Sequence, residues 1–311
     1  MSAPPAPARA APAFSPAVIL ALVIVGVIAF SGFAVLSAYA PELRQVGGPG
    51  AHALSRSAVG YAGVRVLLDG QGVEERVSRS KTPYGEGQGD PPLLVLTPPA
   101  HARPQDLKPY LKFTPVLIVL PKWKAAADPV RPDFVRKAGL IGDPAAGMLQ
   151  EIAPGAKLSQ RKGRSAPRLE GTEFLFRSAV ADRLGEIDRL QTLSAPGLKP
   201  AVVDEQGAAV LACTSDEAEI CVLADPDLLN TQGMKSPATA SSGLDILNRL
   251  RAPGGAVVFD VSLNGIQSER NLLKLLFTPP LLGFTLCAAA AAALMGWHAL
   301  ARFGPTARAR R

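Results

Sequence analysis

The sequence is poor in the residues and motifs on which most catalytic sites depend. Its 311 residues include three histidines and three cysteines. His52, His101 and His298 are far apart in the chain, and no G-x-S-x-G, G-x-x-x-x-G-K-[S/T], G-x-G-x-x-G or H-E-x-x-H motif occurs. We therefore expect no enzyme activity, no catalytic residues, no bound metal and no cofactor.

Acidic residues are missing from both ends of the chain. No Asp or Glu precedes residue 41 or follows residue 275. Five of the 33 Lys and Arg residues lie in these tails, which leaves 28 against 26 Asp and Glu in the middle. The pI of about 9.5 therefore reflects the flanks rather than the concentrated basic face that nucleic-acid binding needs. Nucleic acid is not an expected partner.

Two long uncharged runs occupy these acid-free ends. They cover residues 17–40 and 275–300, and each is long enough to cross the hydrocarbon core of a bilayer as a helix. The first run also ends in an Ala-x-Ala pattern at residues 38–40, so the alternative is a cleaved signal peptide. Because the run is long and Pro41 follows it, we favour the retained helix. Residues 1–16, rich in Ala and Pro, are then a disordered cytoplasmic N-terminus.

Arginines after the second run determine the predicted orientation. The positive-inside rule places the basic tail 301–311 in the cytoplasm. Its arginines are Arg302, Arg308, Arg310 and Arg311. Two spans then place the N-terminus on the same side and residues 41–274 in the periplasm. The predicted location is the cytoplasmic (inner) membrane, with membrane lipid as one partner.

The middle segment has the pattern of an open α/β sheet. Short apolar runs, typical of buried strands, alternate with helical patterns and polar turns. The runs cover residues 93–97, 115–120, 201–204, 208–214, 219–224 and 255–260. We therefore predict an open, mostly parallel, flavodoxin-like sheet. Residues 122–199 interrupt this pattern with short β-like pieces, notably 173–180 and 189–194, which predicts a β-rich insertion.

Two helices of this domain have recognisable ends. After a linker at 41–54, Ser55 or Ser57 is the expected N-cap of a helix that ends at Gly70 or Gly72. A second helix is predicted over residues 242–250, where leucines recur at helical spacing.

Polar side chains follow the predicted strands where open α/β sheets bind ligands. The candidates are Thr97, Asp225, Asp227, Asn230, Asp260 and Asn264. Neighbouring carboxylates are suited to binding a ligand, but Asp-Pro-Asp and Asn are also common turn residues. Both interpretations stay open, and turn formation is the simpler one.

Two of the three cysteines flank a polar turn. Cys213 and Cys221 stand on either side of a charged segment, so a hairpin there would place them on facing strands. An oxidising compartment would allow a disulfide between them, and two free buried cysteines are the alternative. Cys287 lies in the second apolar run, where packing is its expected role.

Several segments resemble a bacterial family of two-span membrane proteins of unknown function. They are SRSAVGYAGVRVLLDGQGVEERVSRS, LLVLTPP, ICVLADPDLLNTQG, GAVVFDVSLNG and LLKLLFTPPLLGFTL followed by GWHALARFGP. The resemblance implies a periplasmic domain with a class I glutamine-amidotransferase-like fold. After the last strand the family has an acidic pair followed by His-Gly. Here Asp260 remains, whereas Val261 and Asn264 stand at the Glu and His positions, which implies a non-catalytic relative.

Such proteins commonly accompany MoxR-type AAA ATPases and von Willebrand factor A-type membrane proteins. The resemblance therefore implies a membrane-anchored, non-enzymatic scaffold of an envelope complex, with membrane or ATPase proteins as partners. The alternative is a periplasmic ligand-binding or sensing module that uses the acidic strand ends.

Overall fold

The computed structural model describes most of the segment between the two apolar runs. The described residues are 50–83, 91–131, 134–176, 179–181, 183–214 and 219–267, together with residue 25 and five positions between 285 and 296. Among them, no helix is long and apolar enough to cross a membrane. The predicted spans at 17–40 and 275–300 lie almost entirely outside the described residues, and the basic tail 301–311 lies outside them completely.

The chain divides into two compact units. One contains Met1–Leu43 and Glu269–Arg311, and the other contains Arg44–Ser268. The fold and the site below belong to the second unit, which we call the α/β domain.

Four α-helices and fifteen strands are formed by the described residues. The helices are α1 (Ala62–Gly70), α2 (Pro104–Leu107), α3 (Asp143–Gly147) and α4 (Pro237–Leu250). The strands are β1 (Glu75–Ser78), β2 (Leu93–Leu96), β3 (Val116–Val119), β4 (Trp123–Ala127), β5 (Val135–Leu140), β6 (Lys157–Gln160), β7 (Arg164–Ser165), β8 (Leu169–Gly171), β9 (Ala179–Ala181), β10 (Ile187–Asp188), β11 (Gln191–Ser194), β12 (Lys199–Asp204), β13 (Ala209–Cys213), β14 (Ile220–Leu223) and β15 (Val257–Asp260).

One large mixed sheet forms the centre of the domain. Its order is β1-β15-β2-β3-β14-β13-β12-β8-β9, with β11 paired to β13 and β6 paired to β11. The first five strands in this order are parallel, and those from β13 onward are antiparallel. The α/β class predicted from the sequence is therefore confirmed, and its parallel part is the group β1, β15, β2, β3 and β14.

Apolar side chains cover both faces of the parallel strands. The sequences of β2 and β3 are apolar throughout and that of β15 is apolar up to Asp260, and all three strands are buried at every position, as expected for strands with helices or loops on both sides. One face packs against Val64 and Leu68 of α1 and Leu247 of α4. The other face packs against Leu107 and Tyr110, in and just after α2. Full burial of each such side chain stabilises the fold by roughly 1.5–3 kcal/mol.

The segment that follows β3 is rich in short strands. Between residues 123 and 194 it forms β4 to β11, of which β4–β5 and β7–β10 are separate two-stranded sheets. The predicted strand at 189–194 corresponds to β11. The predicted piece at 173–180 is largely a turn, closed by a hydrogen bond from the amide of Phe176 to the carbonyl of Thr172, and the strand β9 starts at Ala179.

The two cysteines of the domain are joined. Cys213 in β13 and Cys221 in β14 are register partners, and their Sγ atoms form a disulfide. Both side chains are buried in the core. The disulfide therefore ties the first antiparallel strand of the sheet to its last parallel strand.

Removing this disulfide should lower the stability of the domain. We expect the double change Cys213→Ser and Cys221→Ser to reduce the free energy of unfolding by about 2–3 kcal/mol, because the short closed loop no longer limits the unfolded chain. Urea unfolding of both proteins under oxidising conditions measures the difference. A reductant should lower the stability of the wild type and leave the variant unchanged, and equal effects on both proteins would contradict this expectation.

Candidate functional site

A buried lysine occupies the carboxyl edge of the parallel strands. Lys122 follows β3, and its side chain is 0% exposed. Its Nζ lies 2.8 Å from each carboxylate oxygen of Asp225 and 2.6 Å from Oδ2 of Asp227. It also donates a hydrogen bond to the carbonyl of Asp188 at 3.2 Å. One ammonium thus joins β3, the turn after β14 and the β-rich segment.

Further donors hold the two carboxylates in place. Asp225 accepts hydrogen bonds from the backbone amides of Asp227 at 2.9 Å and Gln191 at 2.8 Å. Asp227 Oδ1 accepts from Nδ2 of Asn230 at 2.7 Å, and Asn230 Oδ1 accepts from the amide of Gly233 at 2.9 Å. Because a buried carboxylate is stable only when its lone pairs have partners, these donors complete the ion pair. The Asp-Pro-Asp segment therefore forms a turn and also binds a cation of its own chain.

Burial and the charges of the ion pair act in opposite directions on the pKa values of Lys122 and Asp225. Burial would lower the pKa of Lys122, but Asp225 and Asp227 outweigh it and raise that pKa. Burial raises the pKa of Asp225 to about 6, against the attraction of Lys122. The pKa of the buried Tyr61 is raised by burial and then by Asp227 and Asp225. The ammonium of Lys122 thus lies between the side chains of Asp225 and Asp227.

The other strand-end candidates form a second group around Asp260. This residue ends β15, is completely buried, and accepts hydrogen bonds from Oγ of Ser262 at 3.0 Å and from the amide of Leu263 at 3.1 Å. Among the described residues, no basic side chain lies within ion-pair distance of its carboxylate. Burial raises the pKa of Asp260 to about 6.

Thr97 and Asn264 belong to this second group. Asn264 donates from Nδ2 to the carbonyl of Thr97 at 3.0 Å, which ties the end of β2 to the turn after β15. Thr97 is 1% exposed, and its hydroxyl has no hydrogen-bond partner among the described residues. Across the described part of the chain, no hydrogen bond or ion pair joins this group to the Lys122 group.

Replacing Asp260 with Asn should raise the stability near neutral pH. The folded-state pKa of about 6 lies above the roughly 3.9 of an unfolded aspartate, so the folded protein binds the proton more tightly. For this group the free energy of unfolding therefore rises as the pH falls from about 6 to about 4, and ionisation costs up to about 3 kcal/mol above that range. Urea unfolding at about pH 7 and about pH 4.5 should show a gain for Asp260→Asn at the higher pH and a weaker pH dependence.

The exposed change Asp245→Asn on α4 is the matched control for this experiment, because it removes one carboxylate from the surface of the same domain. An equal loss of stability at both pH values in Asp260→Asn would show that the hydrogen bonds of the carboxylate matter more than its charge.

Surface cavities adjoin the Lys122 group. One of about 290 Å³ and one of about 180 Å³ share Lys137, Asp227 and Gln232 in their linings. The smaller one also shares Trp123 and other residues with a cleft of about 610 Å³, which Asn264 lines. The cavities therefore follow one another along the carboxyl edge of the sheet. Among the described residues, no group of three or more His, Cys, Asp or Glu side chains is placed to hold a metal ion.

The sequence pattern predicted some of these site residues and missed others. Asp225, Asp227 and Asn230 do come together, as do Thr97, Asp260 and Asn264. The residues that the sequence did not single out are Lys122, Trp123, Lys137, Asp188 and Gln191. A usable signal existed for Lys122, since a lysine next to the end of a wholly apolar strand has few partners other than acids on neighbouring strand ends.

Comparisons with known proteins give no family. No family model matches the chain, and no curated protein matches it. Among solved structures, it is similar to the β-galactosidase from the psychrophilic Marinomonas ef1, at 14% identity and a TM-score of 0.33. The match covers 63% of this chain and 33% of the enzyme, so the chain corresponds to about a third of that protein's length. A likeness this weak supports no statement about function.

Proposed function

We propose that the protein is a membrane-anchored, non-enzymatic interaction protein whose α/β domain lies in the periplasm. The apolar runs at 17–40 and 275–300 would be its membrane spans, and the arginines after the second run would keep the tail in the cytoplasm. The buried disulfide between Cys213 and Cys221 supports an oxidising compartment for the domain. An amidotransferase-like, non-catalytic origin of the sheet is part of the same proposal.

The observation that carries this proposal is an exposed hairpin formed by β4 and β5. The two strands pair only with each other among the described residues, and most of their side chains are exposed. At the turn between them, Val130 is 79% exposed and Phe134 is 58% exposed. Large apolar side chains exposed on the surface can mark protein interaction sites. The hairpin would contact a von Willebrand factor A-type membrane protein, and the basic tail would contact a MoxR-type ATPase.

Co-purification from native membranes in mild detergent tests the proposal. The wild type should retain a von Willebrand factor A-type partner, and the double change Val130→Ser and Phe134→Ser should lose it. Val66→Ser is the matched control, because Val66 is 71% exposed and belongs to α1 rather than to the hairpin. Recovery of the wild-type protein without such a partner would count against the proposal, as would equal loss in the control.

Reporter fusions test the proposed orientation separately. A fusion after residue 80 should report a periplasmic location, and one after residue 311 a cytoplasmic location. A cytoplasmic signal at the first position would overturn the placement of the domain.

A second candidate function is ligand binding by the α/β domain. It is favoured by the cavities beside Asp227, which lie at the edge where open α/β sheets bind ligands.

A further inference from the structure

The cleft of about 610 Å³ lies where three parallel strands end. Pro99, Pro121 and Asn264 line it, and they follow the last residues of β2, β3 and β15 by two to four positions. Open α/β sheets bind ligands at this edge, and the volume falls within the roughly 300–1,000 Å³ of small-molecule pockets. The cleft therefore has the place and the size of a site for a small ligand.

The wall of this cleft is largely apolar. The described residues that line it are apolar except for four, which are Gly50, His52, Lys124 and Asn264. Trp123 adds an indole ring to the apolar part, against which an aliphatic or aromatic group can pack. Such a wall favours a ligand with an apolar body, because binding removes that body from water.

Lys124 is the one Lys, Arg, Asp or Glu side chain in the described wall. It is exposed on β4, and among the described residues it has no ion pair and no side-chain hydrogen bond. Asp260, at the end of β15, is completely buried and so is not accessible to a ligand in the cleft. A cation with no acid beside it in the wall favours a ligand that carries one negative charge.

The other charged groups near this wall already have partners. Lys122 and Lys137 lie over the Trp123 ring, with Nζ at 5.5 Å and 3.9 Å from its centre. Nζ of Lys122 is 2.6 Å from Oδ2 of Asp227, and Nζ of Lys137 is 2.8 Å from Oδ2 of Asp188. Because these lysines and aspartates pair with each other, Lys124 is left as the unpaired cation of the described wall.

We propose that this cleft binds an apolar monocarboxylate, a small molecule with one carboxylate on an aliphatic or aromatic body. The body packs against the apolar wall, which includes Trp123 and Ile266, and the carboxylate pairs with the ammonium of Lys124. This inference rests on the second candidate function, and it names the place and the chemistry of the ligand.

Calorimetric titration of the full-length protein in a nonionic detergent with 4-phenylbutanoate tests the inference, with detergent alone as the blank. The neutral 4-phenylbutanamide and the cationic 4-phenylbutylamine carry the same apolar body. We expect 4-phenylbutanoate to bind about three- to fivefold more tightly than the amide, which is the effect of one exposed ion pair, and the amine to bind most weakly. Equal affinities for the three probes would overturn the preference for a carboxylate.

Variants of Lys124 test the partner of the carboxylate. Lys124→Met should bind 4-phenylbutanoate about three- to fivefold more weakly than the wild type does and should bind the amide equally well. Lys124→Arg keeps the charge and should keep the preference. Lys157→Met is the matched control, because it removes an exposed lysine of β6 that does not line the cleft. Unchanged binding in Lys124→Met, or an equal loss in the control, would overturn the role of Lys124.

Tryptophan fluorescence tests the place of binding. The chain has two tryptophans, so Trp297→Phe leaves Trp123 as the only one. The emission of this variant should change on titration with 4-phenylbutanoate, at the same midpoint as the calorimetric signal. A calorimetric signal without any change in emission would overturn the assignment to this cleft.

Thermal-shift measurements on the same protein with metals, sugars and nucleotides distinguish the failure of this inference from the failure of ligand binding as such. A shift with one of these and none with 4-phenylbutanoate would reject the monocarboxylate and retain the binding function. No shift with any probe would reject both.

Discussion

Lys122→Met should destabilise the α/β domain by about 3–5 kcal/mol, the typical loss when one partner of a buried ion pair is removed. Methionine fills a similar volume, so the packing is largely kept. The loss of stability therefore measures the effect of removing the ammonium charge. Asp225 and Asp227 would then face each other without the ammonium that lies within 2.8 Å of both. Urea or thermal unfolding of the full-length protein measures the change, with near-ultraviolet circular dichroism as the check that the folded variant retains its packing.

Three comparisons separate charge from other effects in this experiment. Lys124→Met, an exposed change two residues further on, should alter the free energy of unfolding by less than about 0.5 kcal/mol. Adding Asp225→Asn and Asp227→Asn to Lys122→Met should restore more than half of the loss. The loss should also be smaller at about pH 5 than at about pH 7.5. The pKa of Asp225 is raised to about 6, so protonation of this carboxylate at the lower pH removes its unpaired charge. A loss below about 1 kcal/mol for Lys122→Met would show that the ion pair does not stabilise the fold.

Gly233→Ala should lower the free energy of unfolding by about 3 kcal/mol, at the upper end of typical overpacking changes. A Cβ at this position would lie 1.6 Å from the backbone oxygen of Asp227, and that backbone cannot rotate away as a side chain can. The turn from Asp227 to Gly233 would have to open. This would break the hydrogen bond from the amide of Gly233 to Asn230, which in turn positions Asp227 against Lys122.

Gly70→Ala is the matched control, since a Cβ at the end of α1 meets nothing within 4 Å. Alanine favours a helix more than glycine does, so this control should be neutral or slightly stabilising. Thermal unfolding of the two variants measures the contrast. Similar stabilities for both would mean that the turn after β14 adapts to a side chain. The close approach at Gly233 would then not require glycine.

The sequence predicts the central strands better than the helix starts. β2, β3 and β15 are found where continuous apolar runs predict them, because burial on both faces leaves a pattern that depends on few neighbours. The predicted cap at Ser55 or Ser57 was wrong. The backbone carbonyl of Ser55 instead accepts a hydrogen bond from the amide of Ala62, and α1 begins at Ala62. The second helix starts at Pro237 with Ser236 as its N-cap, earlier than its leucine spacing indicates.

The linker and the site show where local patterns stop being informative. His52 lies in the predicted linker, yet the structure buries it at 4% exposure, because the segment 50–57 packs onto the domain. The acids after β14 were recognised as strand-end residues, but their cation comes from Lys122, about a hundred residues earlier in the chain. Contacts of this kind depend on the strand order, which no local periodicity encodes.

The position of β15 has a consequence for how the chain is made. Among the described residues, β15 is the single strand that pairs with β1, and it is synthesised about 180 residues after β1. A nascent chain that ends before Val257 therefore exposes an edge on β2 and leaves β1 unpaired, and open edges of this kind invite association with other chains. The sheet can close only when residues 257–260 have left the ribosome. Among the described strands β15 is the last in the chain, so both edges stay unpaired throughout the synthesis of the other fourteen.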